Sequence, residues 1–324
     1  MSGSAAGHPL PPLGVGSAVL AFDVGGTDMK AALVDDAGGI RDILRIPTPI
    51  EGARTADAVV ARVGELASSL RTAHKDVHPR AAGLLVPGHV DDDGGVGVFS
   101  ENLGWSNYPF RDLAEATLGL PVSFGHDVRG AGEAEYRLGA AAPFRDVVVM
   151  AIGTGISGAI FIEGTLHSGG GMAGEMGHSK VADGPRCVCG GSGCLEAVAS
   201  AGAIARRYTA ATGQVVSGAK DVLDRVALGD TQARQVWESA LDALSLDLSH
   251  TVALLAPEAI VIAGGLSQAG PALFEPLQRR LDAILTFHRR PQLLCASIGE
   301  NAGVIGAALR ARDLVGQRAA APGP

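Results

Sequence analysis

Residues 146–164 read DVVVMAIGTGISGAIFIEG, and the glycines at 153, 155 and 158 decide the fold. Their spacing fits G-x-G-x-x-G, the fingerprint of a dinucleotide-binding turn, which requires a helix after the glycines. Here the glycines lead into Ala159-Ile160-Phe161-Ile162, a β-branched and aromatic run with strand character. The pattern therefore predicts strand, glycine turn, strand, and a dinucleotide fold is set aside in favour of a hairpin whose backbone faces phosphate. FDVGGT (22–27) repeats the pattern, with Asp23 at the end of an apolar strand. Glycine lets phosphate oxygens reach the backbone N–H groups because no Cβ intrudes, and a carboxylate beside such a turn can hold Mg2+, usually through water. Taken alone, FDVGGT reads equally well as an ordinary hairpin turn. IAGGLSQAG (262–270) is a third strand ending in glycines, where a flat base could lie against the backbone. No G-x-x-x-x-G-K-[ST] occurs, so nucleotide chemistry would need a frame other than the P-loop.

Around these turns the chain falls into two similar halves. Each opens with a hairpin and continues with helices, which points to a duplicated α/β unit and to two lobes with a cleft between their glycine turns. A helical stripe runs over 54–74, a short strand over 81–88, and a helix is expected to start near His126. In the second half helices are expected over about 196–211, 231–256 and 271–289, with strands at 258–265 and 292–299 and a last helix over 301–316. The expected boundaries are a disordered tail over 1–16, an N-terminal lobe over 17–124 joined by that last helix, and a C-terminal lobe over 125–300. At 324 residues, 47% apolar and 19% charged, the composition is globular. A net charge of −8 argues against nucleic acid as the partner. No basic, apolar leader opens the chain, and the uncharged run Val147–Ile162 is too short and glycine-rich to span a membrane, so a cytoplasmic location is expected.

Three of the four cysteines crowd into CVCGGSGCLE (187–196). With His178, the thiols of Cys187, Cys189 and Cys194 make a complete tetrahedral shell for a structural Zn2+, and the intervening glycines let the loop wrap the ion. Three reduced cysteines without a metal, or a redox pair, are the alternatives. Glu175 and Glu196 flank the ligands, and carboxylates suit the vicinal hydroxyls of a sugar, as does the second ring nitrogen of His178. Cys295, in a predicted strand, reads as a small core residue. In SFGHDVRGAGEAEYRLGA (123–140), Asp127 comes after a strand and begins a helix. It suits a base that accepts a hydroxyl proton in phosphoryl transfer, kept ionised by the helix start, or simply an N-cap.

Together DVGGTDMKAALVD (23–35), ENLGWSNYPF (101–110), HDV (126–128), AIGTGISGAI (151–160), GEMGH (174–178), CVCGGSGCLE and IVIAGG (260–265) resemble the ROK sugar kinases from about Ser17 to Leu314. The resemblance implies an actin-like (ribonuclease H-like) α/β ATPase fold with two lobes around a nucleotide and sugar cleft. It implies MgATP and a hexose as substrates, structural zinc and a homodimer. It places Asp127 as the base. Gly88, Asn102, His126, Glu175, His178 and Glu196 would hold the sugar. Asp23, Gly25, Gly26, Thr27, Lys30, Gly153, Thr154 and Gly155 would line the phosphates and magnesium, with Gly264 and Gly265 against the adenosine. His178, Cys187, Cys189 and Cys194 would bind zinc. Where the family commonly carries Asn-Asp-x-Asn, this chain has His126-Asp127-Val128-Arg129. The resemblance implies glucose as the sugar, phosphorylated on its 6-hydroxyl. Another hexose such as N-acetylmannosamine, fructose or allose, or a sugar sensor of weak catalysis, is the alternative.

Overall fold

A computed structural model describes residues 11–320, which divide into two compact units, residues 11–134 with 301–320 and residues 135–300. The first unit begins with β1 (Val19–Val24), β2 (Asp28–Val34) and β3 (Ile40–Pro47), then α1 (Thr55–Ala73) and β4 (Ala81–Val86). A glycine- and aspartate-rich stretch then carries a small sheet of β5 (His89–Asp91), β6 (Val96–Ser100) and β7 (Trp105–Tyr108). Its strands are too short for an alternating pattern to show. Then come α2 (Phe110–Leu118), β8 (Val122–His126) and α3 (Asp127–Leu138). The main sheet runs β3-β2-β1-β4-β8, antiparallel in its first three strands and parallel in the rest. Period-two alternation sends Leu20 and Phe22 of β1 to one face, into a core with α1 and α2, and Val19 and Ala21 to the other.

The second unit repeats this plan. Strands β9 (Val147–Ile152), β10 (Ile156–Ile162) and β11 (Thr165–His167) form the antiparallel part. Helices α4 (Leu195–Ala199), α5 (Ala201–Thr212), α6 (Ala219–Ala227) and α7 (Thr231–Leu255) lead to β12 (Ala259–Ala263), α8 (Pro271–Ile284) and β13 (Gln292–Cys295). The order β11-β10-β9-β12-β13 has the same directions as the first sheet. The helix expected over 196–211 is two helices, because Ser200 breaks it: its Oγ accepts from the N–H of Ala203 and caps α5. Cys295 is exposed rather than in the core, since β13 is the edge strand and pairs with β12 alone.

The chain ends in α9 (Ala302–Ala320), which belongs to the first unit and covers the face of its sheet that presents Val19 and Ala21. The small residues of α9 allow backbone-to-backbone approach. A Cβ on Gly306 would lie 2.0 Å from the carbonyl oxygen of Gly130 in α3, and one on Gly83 in β4 would lie 2.0 Å from that of Ala307. The unit boundary falls inside α3, after Ala134 and later than residue 124. The reason is visible in the contacts. Gly130 and Glu133 are bound to α9, whereas Glu135 accepts from the N–H groups of Ala140, Ser297 and Ile298 in the second unit. Of the expected tail, residues 1–10 lie outside the described residues, but 13–16 are tied down. Leu13 N–H donates to Gly38 O at 3.1 Å, Gly16 N–H to Asp36 O at 3.0 Å, and Arg312 binds the carbonyl of Gly14.

Candidate active site

In the first unit the turn between β1 and β2 is closed by the Gly25 N–H, which donates to Asp28 O at 2.9 Å, and braced by Thr48 Oγ1, which donates to Gly25 O at 2.7 Å. Gly26 and Thr27 stand at its tip, both exposed. Asp23 lies at the end of β1, directly opposite Lys30 in the β-ladder. Desolvation, joined by the like charge of Asp127, pushes the Asp23 carboxyl up to about 7, and Lys30 pulls it the other way. A cation beside Asp23 would relieve that repulsion, so these residues fit Mg2+. The backbone of α9 closes on the same carboxylate: a Cβ on Gly303 would lie 2.1 Å from Asp23 Oδ2. Sequence reading missed Gly303. Its signal is the small-residue spacing Ala302, Gly303, Gly306, Ala307, which marks a helix pressed against backbone.

Asp127 is the first residue of α3, with its side chain 22% exposed. Val128 N–H donates to its Oδ1 at 2.7 Å, and His126 Nε2 stands 3.4 Å from the same oxygen. The helix start was expected to hold this carboxylate low, but desolvation outweighs the Val128 N–H and the Arg129 charge, and the pKa is pushed up to about 6. At neutral pH the group is ionised yet able to take a proton. Gly88, at φ +96°, joins β4 to β5, and Asn102 is exposed on the turn between β6 and β7. Arg129, two residues after Asp127, belongs to a partly buried ion-pair cluster that no local pattern announces. Arg129, 1% exposed, reaches Asp92 Oδ1 at 2.7 Å; Arg310 reaches Asp92 Oδ2 at 2.9 Å and also pairs with Glu133.

In the second unit the turn from β9 to β10 is equally tight, with the Gly153 N–H donating to Gly155 O at 2.9 Å and Thr154 exposed at the tip. Three segments converge there. Ala201 N–H, at the start of α5, donates to Gly153 O at 2.9 Å. A Cβ on Gly202 would lie 3.1 Å from Thr154 O, and one on Gly264 (φ +80°) 2.5 Å from Ile152 O, while Gly265 is open. Gly202 is a further residue that sequence reading missed. Glu196, in the first turn of α4, accepts from the Ile156 N–H at 2.9 Å through Oε2.

The three thiols and the imidazole gather as expected: one ligand atom from each of His178, Cys187, Cys189 and Cys194 lies within 4.8 Å of every other. Cys187 Sγ is 3.6 Å from His178 Nδ1 and Cys189 Sγ is 3.7 Å from Cys194 Sγ. A tetrahedron with Zn–S of about 2.3 Å has edges of about 3.8 Å. The donor set and these edges therefore fit zinc. His178 turns Nδ1 to the thiols and Nε2 to Glu175, whose Oε2 is 3.9 Å away.

The sequence profile of the ROK family matches residues 19–313. A glucokinase from Streptomyces coelicolor is 31% identical over 318 residues, covering 91% of this chain and 97% of that one. An N-acetylmannosamine kinase from Escherichia fergusonii is 33% identical over 300 residues, covering 90% and 98%. The crystal structure of a ROK family glucokinase from Streptomyces griseus, in complex with glucose and AMPPNP, superposes with a TM-score of 0.76 at 31% identity, covering 92% of this chain and all of that one. The match runs through both units, and the chain belongs to the ROK family, with its actin-like, two-lobed α/β fold.

Proposed function

We propose that this protein is an ATP-dependent hexose kinase acting on the 6-hydroxyl of glucose. The observation that carries the reading is Asp127, a largely desolvated carboxylate at a helix start with its pKa pushed up to about 6. The length and identity of the match to glucokinases support the same substrate. Asp127 takes the hydroxyl proton as the sugar oxygen attacks the γ-phosphorus, the bond to the β,γ-bridging oxygen breaks, and ADP departs. Because Val128 and His126 both address Oδ1, Oδ2 is the oxygen that receives the proton. Glu196, holding its own backbone with Oε2, offers Oε1 to the sugar. Glu175 and His178 Nε2 supply further partners, with Gly88 and Asn102. Gly25–Thr27 and Gly153–Gly155 receive the phosphates, and Gly264 and Gly265 the adenosine. Asp23 would hold the magnesium carried with ATP, and the ion would supply positive charge against the triphosphate, with Lys30 adding its own. His178, Cys187, Cys189 and Cys194 would hold zinc, which would fix the loop that bears Glu175 and Glu196. A cytoplasmic homodimer belongs to the same reading; no described helix is long and apolar enough to cross a membrane.

The test is ADP release with MgATP against glucose, mannose, fructose, allose and N-acetylmannosamine. Glucose should give the highest kcat/KM, and Asp127→Asn should lower kcat by about 100-fold or more while glucose still binds. Sugar binding without turnover on any hexose would replace the kinase with a sensor. A higher kcat/KM for N-acetylmannosamine would move the assignment to that substrate.

A further inference from the structure

His126 ends β8 with 4% of its surface exposed, and its two ring nitrogens face different partners. Nδ1 accepts from the backbone N–H of Arg129 at 3.3 Å, three residues along, in the manner of an N-cap side chain. Nε2 lies 3.4 Å from Oδ1 of Asp127. A ring nitrogen that accepts a hydrogen bond carries no proton, so the single proton of the neutral imidazole sits on Nε2. The donor that sets this tautomer is itself fixed. Arg129 is locked by its ion pair to Asp92, and Asp92 is locked to Arg310 on α9.

We propose that His126 is a positioning residue for Asp127, its Nε2–H directed at Oδ1 so that, with the Val128 N–H on the same oxygen, Oδ2 is left to take the substrate proton. The proposal rests on the reading of Asp127 as the base. The separation of 3.4 Å is long for N–H···O, and shortening on formation of the substrate complex is the usual behaviour of such contacts. Two amides separate the two nitrogens. Asparagine places its polar atoms where His has Nδ1 and keeps the cap, whereas glutamine reaches the position of Nε2 and keeps the donor. The charged groups that act on Asp127 are Asp23 on β1 and Arg129 on α3; Lys30 on β2 acts on Asp23, and Asp92 after β5, Arg310 on α9 and Glu133 on α3 extend the ion pair of Arg129. Neither substitution alters any of them.

The experiment pairs pH profiles of kcat/KM for the preferred hexose with imidazole 15N spectra of the full-length protein, His126 being assigned by difference from its variants. At pH 8 the spectrum should show Nδ1 bare and Nε2 protonated. His126→Asn should move the acid limb of kcat/KM upward by about one pH unit, because the charged carboxylate loses a donor, and lower kcat several-fold. His126→Gln should leave the acid limb in place. A proton on Nδ1 would overturn the proposal, and so would an Asn variant that changes KM alone on an unmoved acid limb, which is the mark of a sugar contact. If no hexose is turned over, the reading of Asp127 as a base fails by itself, and the spectrum alone decides whether the ring is poised as proposed.

Discussion

Asp23 and Asp127 are carboxylates that the folded chain holds in an unfavourable charge state. Their pKa values are pushed up to about 7 and about 6 from an ordinary 3.8. Between pH 4 and pH 7 the folded chain therefore binds more protons than the unfolded one, and stability falls as pH rises through that window. Stability that both groups contribute in acid is lost by pH 8. Asp23→Asn should then raise the free energy of unfolding at pH 8 by on the order of 2 kcal/mol and leave it unchanged near pH 3.5, while abolishing phosphoryl transfer. Denaturant titrations at the two pH values check this. An equal effect at both would show that the repulsion is not stored in the apo chain. The residue types at these positions were legible in the sequence, since a strand end beside glycines and a helix start each mark a carboxylate. Their electrostatics were not. Helix position alone pointed to a lowered Asp127, and it took the surrounding protein to show that desolvation prevails.

At the scale of elements, the hairpins and glycine turns could be read because their signals are local. The three-stranded sheet β5–β7 and the short helix α6 could not, because such brief elements are fixed by tertiary packing. The role of α9 was hidden differently. The helix itself was legible, but its glycines hold it against Asp23 and α3 only once the chain has folded. Gly306→Ala would drive a Cβ to 2.0 Å from the Gly130 carbonyl oxygen, where only backbone can give way. The variant should lose about 2–3 kcal/mol of stability and, by moving α3, much of its activity. Gly316→Ala, on the same helix with nothing within 4 Å of the new methyl, should be neutral or stabilising by up to about 1 kcal/mol. Matching thermal shifts for the two would sink the packing argument.

For the whole molecule, the repeated sheet order means two cores rather than one, each with its own sheet buried on both faces. The duplication was visible in the paired strand–glycine–strand openings, but only strand order and direction establish it, and neither is written in local pattern. Two cores make a single two-state transition the exception. The cysteine cluster lies wholly in the unit of residues 135–300, so zinc that binds the folded form alone stabilises that unit by mass action. Gly306 and Gly130 lie wholly in the other. Calorimetry should therefore resolve two transitions that respond to different perturbations. A chelator, or Cys189→Ser, should lower one by several degrees and release about one zinc per chain. Gly306→Ala should lower the other and leave the zinc content unchanged. If the chelator moves neither transition, the thiol cluster holds no structural metal. If both perturbations move the same transition, the two cores fold as one, and the repeated architecture carries no independent stability.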